Sequence, residues 1–295
     1  MALGSVTVKA GLFGGLLAAV FAATPSYVRT TTTDGSHCLR WPAGPVTVLQ
    51  SSAGDPSLGD AGFDAVTRGW QTWEAQMQAC SDLTLTEGAR SASRTVGLLP
   101  DGGAENLVLF RTRLCTAVVD AGDPCNGSGT CGNQHDCWEH TSGVLALTTT
   151  TYLRTSGVIV DADVELNASQ AVFTVVDAPP CDPAAQSLDC VANDTQETAT
   201  HEFGHALGLS HSPDPTSTMY AYAPVGETSK RTLDDGTRQF VCDVYPLGRP
   251  SQDCIAADGG SMDGSGCSTA GTSTTPVLAA GVLGLLLLVG RRRRR

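Results

Sequence analysis

The chain has 295 residues, 30 of them acidic and 18 basic, for a formal net charge of −12. Setting aside Lys9 and Arg291–Arg295 leaves 12 basic residues against the same 30 acidic ones, near −18 for the chain between. A body this acidic repels polyanions, which excludes nucleic acid as a partner. No acidic block exceeds a few residues, so the charge reads as a solubility property rather than a clue to substrate.

Residues 1–22 carry Lys9 and then the apolar run Gly11–Ala22, with small residues suited to cleavage at Ala22 or Ala23. This is the pattern of a secretory signal peptide, excluded from the fold. A short N-terminal segment, 23–37, leads to Cys38, and the stretch 38–246 has the length of one domain with a single core and no low-complexity linker.

Within it the alternation from Leu39 to Leu49 predicts a first strand. Phe63, Val66, Trp70, Trp73 and Met77 recur at helical spacing and predict a long helix whose apolar stripe, the tryptophans included, faces the core. Strands are expected at Leu83–Leu85, Asn106–Phe110, Val144–Leu147 and Val158–Leu166, giving an α/β (α+β) order with a mixed sheet. A helix then starts at Asn193 or Asp194, where Asp194-Thr-Gln-Glu197 reads as a capping box. A last helix is expected over Asp235–Val244.

The helix after Asp194 carries His201-Glu202-Phe203-Gly204-His205-Ala206-Leu207-Gly208-Leu209-Ser210-His211, which satisfies H-E-x-x-H-x-x-G-x-x-H at each fixed position. His201 and His205 stand one turn apart on one face, so both imidazoles can reach a single Zn²⁺. Gly208 can take the left-handed conformation that ends a helix, letting His211 supply a third nitrogen and leaving a fourth position for water. Glu202 lies beside the ligands as the candidate general base.

Eleven cysteines occur, ten of them ahead of Cys267. An even set in an exported chain reads as a framework of up to five disulfides, with Cys181/Cys190 the best local pair and the other pairings open. A metal site on Cys125, Cys131 and Cys137 with His135 and His140 fits less well, because the spacings are not C-x₂₋₄-C. Cys38 could in principle cap a metal, but a disulfide role is favoured.

Residues 247–275 form a linker rich in Gly, Ser and Thr, and 276–295 combine a short apolar run with Arg291–Arg295. About 14 apolar residues span roughly 21 Å, short of the ~20 residues of a stable membrane helix. That length favours a transient sorting helix over a single-pass anchor. Either form makes membrane contact through the tail and leaves the upstream chain outside the cell.

Two resemblances carry further expectations. The long histidine motif, Ser212 directly after it, and Ser217-Thr218-Met219-Tyr220, whose Met219 stands eight residues beyond His211, resemble the metzincins and, within them, the matrixin zinc metalloendopeptidases. The resemblance implies one catalytic Zn²⁺ held by His201, His205 and His211, Glu202 as base, Met219 as a hydrophobic floor, and protein or peptide substrates. Tyr220 and Tyr222 are expected to pack or wall the pocket. It also makes Gly157–Asn167 similar to the edge strand beside the cleft, where Asp161, Asp163 and Glu165 share a face and read as a solvated acidic surface. Calcium on those carboxylates is the alternative, with nothing else in the sequence to support it. The H-G-D segment of a structural zinc and a P-R-C-G propeptide are both missing from the sequence, and the short stretch before Cys38 is too small for a folded prodomain. Cys267, the spacer, the short apolar run and the arginines resemble bacterial MYXO-CTERM-type sorting tails. The competing functions are a silent zinc-stabilised adhesion module and a metallohydrolase of non-protein amides.

Overall fold

The computed structural model describes residues 26–254. The leader expected over 1–22, Cys267 and the tail expected over 276–295 lie outside the described residues. Among those described, no helix is long and apolar enough to cross a membrane.

Five strands, β1 (Gly44–Gln50), β2 (Leu83–Glu87), β3 (Leu107–Phe110), β4 (Ala146–Tyr152) and β5 (Ile159–Leu166), form one mixed sheet in the order β2-β1-β3-β5-β4. All neighbours are parallel except β4, which runs antiparallel to β5 at the edge. The first strand starts five residues later than the alternation suggests. Pro42 has no N–H to offer a ladder, and Leu39 and Arg40 instead bond to Thr30 and Gly157. The antiparallel strand runs further than expected, because the β-branched run Thr148–Thr151 suits extended backbone.

The helix α1 (Asp60–Cys80) lays its predicted stripe into the core, with Trp73 and Met77 fully buried. Gly69 sets how closely it meets the histidine-bearing helix, since a Cβ there would lie 2.8 Å from Ala199 Cβ. Trp73 Nε1 donates to Thr200 O of that helix at 2.9 Å. The closing helix, Asp235–Val244, has the expected bounds; Asp234 caps it through Thr237 N, and Phe240, Val241 and Val244 are buried.

All ten cysteines of the described residues are paired: Cys38–Cys254, Cys80–Cys242, Cys115–Cys137, Cys125–Cys131 and Cys181–Cys190. Two of these bonds staple a short-helix excursion, α2 (Cys115–Val118), α3 (Cys125–Ser128) and α4 (Cys131–His135), between β3 and β4. Packing continues on both sides of 38–246. Thr30 N donates to Gly208 O at 2.9 Å, and Gln252 N donates to Val244 O at 2.7 Å.

The expected edge position of Gly157–Asn167 is corrected here: β5 is interior, between β3 and β4. Its acidic face is not solvated either, with Asp161, Asp163 and Glu165 at 0%, 1% and 4% exposure. The excursion and the loop before β3 cover that face. Arg111 Nε bonds Glu165 Oε1 at 2.6 Å and His140 Nε2 lies 3.1 Å from Oε2. Burial alone would raise the Glu165 carboxyl, but His140 and Arg111 outweigh it and hold it below the ordinary range.

Asp163 accepts from Leu107 N at 2.7 Å and Gly97 N at 2.5 Å, while Asp161 leaves Oδ2 buried without a partner. Burial, with the Asp161 charge beside it, pushes Asp163 up to about 8. The unfolded chain releases that proton near pH ~3.9, so stability falls as pH rises from there through about 8. Asp161→Asn supplies a permanent donor to Asp163. Its melting temperature should exceed wild type by a few degrees at pH 9, at about 2–4 °C per kcal/mol, with the gain shrinking toward pH 5. Equal melting at pH 9 would show that ionising the pair costs the fold nothing.

Candidate metal centre

The helix α5 (Thr195–Ala206) lies against α1, β4 and β5. Asp194 caps it, accepting from Glu197 N at 2.7 Å, and Arg231 clamps the same carboxylate at 2.9 Å through Nε and 2.5 Å through Nη2. The reciprocal half of the expected capping box is not made. Glu197 is instead buried against Lys230, accepting from its backbone N at 3.2 Å, because burial beside a cation offers more than a bond back to the cap. Burial pushes the Glu197 carboxyl up to about 7 against the pull of the Lys230 ammonium.

His201 and His205 leave α5 on one face, and the chain then turns at Gly208, whose φ is +99°. A side chain there would be strained by that conformation and would also meet Leu39 O at 2.4 Å. The turn brings in His211, and one ligand atom from each of the three rings lies within 4.8 Å of the others. His205 Nε2 and His211 Nε2 stand 3.2 Å apart. Two nitrogens on a tetrahedral zinc at 2.0–2.1 Å would stand about 3.4 Å apart, so the spacing fits that ion.

The tautomers fit as well. His201 Nδ1 meets Thr218 O at 2.7 Å and His205 Nδ1 meets Leu209 O at 2.9 Å. A carbonyl only accepts, so each Nδ1 carries the proton and each Nε2 presents a lone pair. Burial lowers all three imidazole pKa values, most strongly for His201 and to about 4 for His211, where the neighbouring His205 adds to it. All three rings are therefore neutral at pH 7, the form that binds metal.

The Met-turn supplies the floor. Met219 is 2% exposed, and its Sδ lies so close under α5 that a Cβ on Gly204 would collide with it. Asp234 holds this turn, accepting from Thr218 N at 2.8 Å while Thr218 O receives His201. One residue thus ties the closing helix to the first histidine. Tyr220 is half-buried and Tyr222 is 71% exposed, which rules out packing for Tyr222 and leaves the pocket wall as its expected role; its ring stands 5.5 Å from that of Tyr220.

Glu202 is buried beside the cluster. Its Oε2 accepts from Thr148 Oγ1 at 2.6 Å, and burial pushes its carboxyl up to about 7 against that hydrogen bond. Thr148 and Asp234 are the neighbours that motif reading passes over, whereas Leu209 falls inside the histidine motif and Thr218 inside the Met-turn.

A neutral three-imidazole cluster at a helix end, with a buried carboxylate alongside and a methionine turn beneath, defines the metzincin class of metallopeptidases. The matrixin family model matches residues 53–246, and the chain belongs to that family of zinc-dependent metalloendopeptidases. Over 61 residues it is also 41% identical to matrix metalloproteinase-25 of Homo sapiens, a stretch that covers 20% of this chain and 11% of that protein.

Proposed function

We propose that this chain is an exported zinc endopeptidase in which His201, His205 and His211 hold one catalytic Zn²⁺ and Glu202 is the general base. The convergence of the three neutral rings beside a buried carboxylate is the observation that carries the reading. Bound zinc would supply Lewis acidity, lowering the pKa of water toward 7 and polarising the scissile carbonyl. Glu202 takes the water's proton on the carboxylate oxygen that Thr148 leaves free, then passes it to the nitrogen of the departing amine. A purely structural metal site needs no such base, which argues against the adhesion module. Proteins and peptides are the substrate class, in line with the family.

Five disulfides support export to an oxidising compartment. The Cys267-to-Arg295 pattern supports surface sorting through the C-terminal tail.

The test uses the purified, oxidised protein. Elemental analysis should find one zinc per chain, and casein should be digested, with loss on chelation and recovery on adding zinc back. Zinc bound without casein or peptide cleavage would overturn the protease reading. A panel of non-protein amides run alongside distinguishes the metallohydrolase alternative.

A further inference from the structure

Thr148 sits on the edge strand β4, opposite Val164 of β5, and α5 packs over it. Its Oγ1 lies 2.6 Å from Glu202 Oε2 and 3.1 Å from Glu202 O. A hydroxyl has one proton, and the shorter contact to a carboxylate is the stronger bond. Among the described residues, Thr148 provides the side-chain hydrogen bond to this carboxylate, which is 6% exposed. A β-branched side chain is stiff about χ1, so the strand delivers the hydroxyl in a fixed direction.

We propose that Thr148 is a positioning residue for the hydrolytic reaction, its hydroxyl holding Glu202 Oε2 so that the other oxygen faces the reacting water. The inference rests on the protease reading above and deepens it. The bond reaches across from the sheet to the helix, so the orientation of the base is set by the same strand that forms the wall of the sheet beside the site. A carboxylate without this tether would rotate about its own side-chain bonds and lose the alignment that proton transfer requires.

Thr148→Val keeps the shape and removes the donor; Thr148→Ser keeps the donor. Both should be made in the full chain and compared with wild type for zinc content, melting temperature and steady-state cleavage of one peptide. For Thr148→Val, kcat should fall about tenfold or more, the scale of losing a hydrogen bond to a charged group. KM and zinc content should stay within twofold. Thr148→Ser should restore kcat to within a few-fold of wild type, and a crystal structure of Thr148→Val should show the Glu202 carboxylate rotated.

A Val variant with wild-type kcat, or a Ser variant as impaired as Val, overturns the assignment. Equal losses of zinc, melting temperature and activity in both variants would mean a packing role only and also overturn it. A wild-type protein that cleaves no peptide removes the protease reading itself, and this inference with it.

Discussion

Glu202→Ala should retain zinc and fold while losing 10²–10⁴-fold of peptide hydrolysis, the usual worth of a general base. The reason is positional. Glu202 is held from β4 by Thr148, whereas the metal-facing nitrogens belong to His201, His205 and His211. His205→Ala should behave differently, because it removes one of the two Nε2 atoms that stand 3.2 Å apart and so lowers zinc occupancy together with activity. Elemental analysis beside peptide cleavage at neutral pH separates the two variants. Wild-type cleavage by zinc-loaded Glu202→Ala would remove the proposed mechanism even if the histidines bind the metal.

The largest stability effect is expected at Arg111. Its side chain is fully buried and bonds Glu165 at 2.6 Å, Asp136 at 3.0 Å and Asn133 at 3.3 Å. These contacts bind the disulfide-stapled excursion to the outer face of β5. Arg111→Met strands the Glu165 carboxylate with His140 alone, and removing one partner of a buried pair typically costs about 3–5 kcal/mol. Denaturant unfolding under oxidising conditions measures the loss. Arg111→Met/Glu165→Leu should recover much of it, since replacing both partners by apolar groups is often near neutral. A loss below about 1 kcal/mol in the single variant would show that the pair does not hold the excursion in place.

What could be read in advance follows from the range of each signal. The bounds of the closing helix, Asp235–Val244, and the buried stripe of α1 were legible because helical period and caps are local. The Cys181–Cys190 pair, nine residues apart, was legible for the same reason, while Cys38–Cys254 spans 216 residues and leaves no local trace. Period two placed Asp161, Asp163 and Glu165 on one face but could not say what lies over it. Their burial depends on Arg111, which is 54 residues from Glu165, and on an excursion whose course is set by its disulfides. Strand order is likewise a tertiary outcome: the resemblance points to Gly157–Asn167 as the edge, whereas the edge strand there is β4. The metal-facing histidines come together from a single continuous motif. Thr148 belongs to a run of four threonines with no pattern to set it apart, and only the packing of α5 on β4 singles it out.

The Cys38–Cys254 bond closes almost the whole described chain into one covalent ring. A single backbone cut anywhere inside that ring leaves both pieces attached to each other. For a peptidase exposed to its own activity, self-nicking in a surface turn would therefore release nothing, and the damage would become visible as separate fragments only after a reductant opens the ring.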